Sequence, residues 1–154
     1  MILPTIDINY GNEAGLEGID LDALSAKAIE ATITNAGLVV PKDAELSLLI
    51  CDDNLIQELN GQWRGKHNPT NVLSFSGDNS SPLLGDIVIS VDTVQREAAL
   101  ENKIVEDHIT HLIVHGFLHL FGYDHESEVE AEEMENLETQ ILGELGIANP
   151  YENA

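Results

Sequence analysis

Three histidines, His115, His119 and His125, are the residues of this 154-residue chain best suited to chemistry. Imidazoles four apart on an α-helix project from one face about one turn apart, so His115 and His119 can offer ring nitrogens to a single ion. Gly122 follows three residues later; it can take the left-handed backbone that ends a helix and reverses the chain, returning His125 toward the pair. Three neutral nitrogen ligands suit zinc and leave a position open for water, as catalytic zinc requires and structural zinc does not. Such an ion lowers the pKa of its water to about 7, so hydroxide becomes available near neutral pH. Magnesium and calcium prefer oxygen ligands that this cluster lacks. The expectation is one zinc ion per chain, held by His115, His119 and His125, in a hydrolase.

Other polar residues lie close enough in sequence to contribute. His111, four before His115, shares its helix face and could brace a ligand or touch substrate; a simply packed histidine is the alternative. Asp124 could accept a hydrogen bond from a ligand imidazole or cap the final helix. Arg64 and Lys66 fall together in Trp63-Arg-Gly-Lys-His67, a short basic stretch able to hold one phosphate, with Lys66 a possible substrate contact. The spacing His-x-x-x-His-x-x-Gly-x-x-His is also that of metzincin peptidases, where a glutamate after the first histidine is the general base. Here that position is Gly116, which cannot carry a proton, so a metzincin-like metalloprotease is the alternative reading.

The elements that would position these residues are legible in outline. Ile2 to Tyr10 reads as a strand, followed by a loop from Gly11 to Gly18 and a helix capped by Asp20 that runs to about Ala36. Leu46 to Cys51 is a strand-like apolar run, and Asp52-Asp53 can cap a second helix. Asn71 to Ser76 and Gly85 to Ser90 read as strands, the first bounded by the turn-rich segment Gly77 to Pro82. A helix capped by Asp92 reaches about Asn102, and a longer apolar helix, Ile104 to Phe121, carries His115 and His119. The last helix, Glu126 to Leu145, has Val129, Met134, Leu137, Ile141 and Leu145 on one stripe; its glutamates are read as a solvated outer face. The pattern indicates an α+β (mixed α/β) fold, a small sheet of about four strands covered by about five helices, in a single metal-dependent hydrolase domain spanning 1–154. Strand order is not readable from it.

Bulk composition narrows the partners. Apolar residues make up 43% of the chain, enough for a packed core at this length. The amino terminus lacks a basic start and a continuous apolar stretch, and no run is long enough to span a bilayer, so a cytoplasmic protein is expected. The lone Cys51 sits in an apolar strand and reads as a core residue. Six Lys and Arg against 28 Asp and Glu give a net charge of −22. That surplus argues against broad attraction to nucleic acid or anionic membranes.

The segment His115-Gly-Phe-Leu-His-Leu-Phe-Gly-Tyr-Asp-His125 resembles the signature of the bacterial YbeY family of endoribonucleases. Leu59 to Phe75 resembles the family's arginine-containing loop and following strand, Leu84 to Ser90 its next strand, and Glu130 to Glu138 its closing helix. The likeness covers roughly Leu46 to Tyr151. Asn71 stands where the family often has aspartate. The resemblance implies a metal-dependent enzyme that cuts single-stranded RNA, matures the 3′ end of 16S ribosomal RNA and serves ribosome quality control. It also implies zinc on His115, His119 and His125, with Arg64 as the matching active-site arginine. The implied partners are precursor rRNA and the small ribosomal subunit or its assembly factors, without DNA or membrane. Chemistry agrees: metal-activated water can attack phosphorus while the planar guanidinium of Arg64 grips two phosphate oxygens. A further alternative is a non-enzymatic ribosome-assembly factor that uses zinc only for structure.

Overall fold

The computed structural model describes residues 2–11, 16–78 and 81–152. Residues 12–15 of the loop expected from Gly11 to Gly18, and residues 79–80 of the turn expected from Gly77 to Pro82, lie outside them. The described elements are β1 (Thr5–Tyr10), α1 (Leu21–Ala36), β2 (Glu45–Cys51), α2 (Asp53–Arg64), β3 (Val72–Ser76), β4 (Leu83–Ser90), α3 (Val91–Glu101), α4 (Val105–Leu120) and α5 (Glu128–Glu144). Four strands and five helices in this order make the α+β fold expected.

The sheet runs β1-β2-β4-β3. β2 pairs in parallel with β1 on one side and with β4 on the other, and β3 closes the edge antiparallel to β4. Alternation along the strands divides the side chains between two faces. Leu46, Leu48, Ile50, Ile87 and Ile89 point into the main core, where they meet Ile29 of α1, Ile113 and Phe117 of α4, and Met134 and Ile141 of α5. Burial of each such side chain contributes about 1.5–3 kcal/mol, and α4 owes its fixed position to it. On the opposite face Cys51, Leu73 and Val88 pack beneath Ile56 of α2. Toward β1 that second face is open, and Asn9, Ser47 and Asp86 line a groove instead of a helix contact.

Two details differ from sequence expectation. α3 is capped by the Ser90 side chain, which accepts from the Thr93 amide. Asp92 instead accepts from the Asp53 amide at 3.0 Å, drawn across to the start of α2. In return Asp53 accepts from the hydroxyls of Ser90 and Thr93, each at 2.6 Å. Val129, assigned to the apolar stripe of the last helix, is 66% exposed, because the helix begins at Glu128 and its first turn lies beyond the core. Among the described residues no helix is long and apolar enough to cross a membrane.

Candidate metal centre

α4 is buried from His108 to Val114 and again from Gly116 to Leu118, so the one-turn offset between His115 and His119 is held rigidly. Their Nε2 atoms face each other at 3.0 Å. The helix ends in a Schellman turn: Gly122, at φ 93°, donates its amide to the His119 carbonyl and Tyr123 donates to that of Leu118, both at 3.1 Å. The turn aims the Tyr123 carbonyl back at His119 Nδ1, 2.8 Å away. It also brings the His125 ring to 5.8 Å from that of His115 and 5.2 Å from that of His119. Each of the three rings then offers a nitrogen within 4.8 Å of the others.

The partners of the outer nitrogens decide what the inner ones can do. A carbonyl only accepts, so His119 Nδ1 carries a proton. His115 Nδ1 lies 3.0 Å from Glu138 Oε2. Burial pushes the Glu138 carboxyl up, but hydrogen bonds from His111 and His115 outweigh it and bring the group down to about 2, so the carboxylate is ionised and His115 Nδ1 donates. With Nδ1 of both rings engaged, the two Nε2 atoms are left facing each other at 3.0 Å, placed to share a cation, either a proton or a metal ion. Burial, and then the neighbouring His115, hold His119 below its ordinary 6.5, which keeps the ring neutral near pH 7. The residues present fit a nitrogen-seeking metal ion.

Glu138 is the residue that reading the sequence missed. It is completely buried, and its Oε1 also accepts from His111 Nε2 at 2.6 Å and from the Tyr151 hydroxyl at 2.7 Å. The glutamates of α5 were expected on a solvated outer face; this one corrects that. Glu138 stands four after Met134 and three before Ile141, both buried, so helical spacing did place it on the inner stripe. His111 is tied to Glu138 and lies outside the histidine cavity. The Asp124 carboxylate accepts from the His125 amide, and α5 is capped by Ser127.

His115, His119 and His125 line a cavity of about 250 Å³ together with Arg64 and Lys66. Arg64 is the last residue of α2, so the basic stretch Trp63–His67 begins inside that helix, and Gly65 ends the helix in the left-handed conformation at φ 69°. The loop that follows is pinned by the buried Asn60, whose amide group donates to the Asn68 carbonyl at 2.9 Å. Among the described residues no carboxylate forms an ion pair with Arg64 or Lys66. Asn71 donates to Glu97 at 3.0 Å, a contact that aspartate would turn into repulsion. At Gly116 a Cβ would lie 2.9 Å from Ser74 Oγ and 3.1 Å from Ile87, so α4 seats against the sheet where a metzincin's glutamate would have to stand.

Comparison with known proteins agrees with this arrangement. The family model described as Endoribonuclease YbeY matches residues 9–146. A protein named endoribonuclease YbeY from Allorhizobium ampelinum is 51% identical over 142 residues, covering 86% of this chain and 85% of that protein. One of the same name from Methylocella silvestris is 46% identical over 152 residues, covering 97% and 86%. The solution structure of a Thermotoga maritima protein superposes with a TM-score of 0.56 at 26% identity, covering 97% of this chain and 99% of that one.

Proposed function

This chain belongs to the YbeY endoribonuclease family, and from that premise we propose that it is a zinc-dependent endoribonuclease specific for single strands, acting in 16S rRNA 3′-end maturation and ribosome quality control. The observation that carries the reading is the facing pair of Nε2 atoms on His115 and His119, in a cavity shared with an arginine that no acid among the described residues pairs with. His115, His119 and His125 would hold the ion through their inward nitrogens. Zinc there would supply an acidified water and a positive charge beside the phosphate. Glu138 and the Tyr123 carbonyl keep two of the rings in the tautomer that binds metal. Arg64 would clamp two non-bridging oxygens of the scissile phosphate, where negative charge grows in the transition state. Lys66, which lines the same cavity, adds a second cation without the planar fork.

The site lies on a chain of net charge −22, so we assign delivery of RNA to ribosomal proteins or assembly factors in the cytoplasm and not to long-range attraction. Arg64→Ala tests the catalytic reading. It should leave zinc content and melting temperature unchanged while cutting cleavage of a single-stranded RNA about 100-fold or more. Normal turnover in that variant would remove Arg64 from the mechanism.

A further inference from the structure

Two of the hollows that Arg64 borders bear on how a strand is held. One is the histidine cavity; the other is a groove of about 880 Å³ on the sheet face that α2 leaves open, and Ser74 lines both. Leu49 and Val88 form an apolar floor, while Asn9, Ser47 and Asp86 supply polar atoms. Trp63, in the last turn of α2, stands at the wall, 65% exposed, its ring tilted against Phe75 at a centroid distance of 6.2 Å. The volume is typical of a site for a small organic group.

The charge balance says what such a group must be. Two cations at the cavity neutralise few phosphates, so a bound strand needs a source of affinity that does not depend on charge. Aromatic stacking of bases is that source in proteins that hold single strands. Asp86 makes the groove unfavourable for a phosphate, yet its carboxylate can accept from an exocyclic amino group, and Asn9 and Ser47 can both donate and accept.

We propose that this groove binds a nucleobase flanking the cleaved phosphodiester, stacked on Trp63 and met at its edge by Asn9, Ser47 and Asp86, while Arg64 holds the adjoining phosphate at the histidine cavity. The assignment rests on the endoribonuclease reading, because the strand that fills the groove is the strand being cut. It also supplies a reason for single-strand preference: a base stacked inside a duplex cannot enter.

Trp63 is the chain's only tryptophan, so intrinsic emission reports on the groove directly. Titrating the zinc-loaded full chain with a single-stranded RNA oligomer should quench that emission to saturation, and the same strand annealed to its complement should not. Trp63→Ala should raise KM for the single strand roughly 5- to 100-fold, and Trp63→Phe should recover most of the loss. An oligomer lacking the base beside the cleaved bond should show a similar penalty with wild type and little more with Trp63→Ala. The groove assignment is overturned if saturating RNA leaves the emission unmoved and Trp63→Ala cuts with unchanged KM; the endoribonuclease reading would survive that result. Saturable quenching by nucleoside monophosphates without any RNA cleavage would instead retain the groove and defeat the nuclease. Emission that answers to a ribosomal protein and not to RNA would give the groove to a protein partner and overturn the proposal.

Discussion

His115 can bind a cation only through Nε2, because Glu138 occupies its other nitrogen. The same carboxylate takes hydrogen bonds from His111 and Tyr151, so one fully buried group fixes the His115 ring and anchors the C-terminal segment to α4. Removing its charge while keeping its shape should loosen the metal: Glu138→Gln is expected to lower zinc affinity about 10- to 100-fold, read by competition with a chromophoric chelator. An unchanged affinity would reduce Glu138 to a packing residue. At this scale the histidines were legible because a helix converts a spacing of four into a shared face, and a glycine marks where the chain can turn. Glu138 was hidden among the many acids of α5, and the nearer Asp124 drew the role that tertiary packing brings in from 23 residues away.

The helices depend on each other at their ends. Asp53 opens α2, yet its carboxylate is satisfied by Ser90, Thr93 and Arg96 at the start of α3, while Asp92 of α3 takes the Asp53 amide. Burial raises the Asp53 carboxyl, but those hydrogen bonds prevail and hold it below its ordinary 3.8. A carboxyl depressed on folding contributes stability above its unfolded value and loses it as pH falls through the folded one. Asp53→Asn should therefore cost about 1 kcal/mol in urea unfolding at pH 7, with the deficit shrinking as pH drops below about 4. An equal deficit at pH 7 and at pH 3 would mean that shape, not charge, is what matters there. Helix and strand positions were readable to within a few residues because apolar periodicity and Asp or Ser caps are local signals. The exchange of caps between α2 and α3 was not, since it joins residues 39 apart and diverts Asp92 from the local role its position suggests.

Across the whole molecule 28 Asp and Glu outnumber six Lys and Arg, two of which, Arg64 and Lys66, line the histidine cavity. Two phosphate contacts on a single strand imply a salt slope of only about −1.4 in log affinity against log salt concentration. Naked RNA should thus bind weakly, with little loss between low and physiological salt, as measured by fluorescence anisotropy. Tight binding with a slope steeper than about −4 would defeat the idea that partners deliver the RNA. Strand order and the open groove were invisible in the sequence, because both follow from pairing between distant strands: β4 inserts between β2 and β3, and the groove opens on one sheet face beside α2.

Zinc stoichiometry is the most direct test of the centre itself. Elemental analysis of the full chain purified from zinc-replete medium should give about one ion per chain in wild type and close to none in His119→Ala, with the variant still folded by circular dichroism. Wild type free of zinc under those conditions, or His119→Ala retaining a full complement, would contradict convergence of the three imidazoles on one ion.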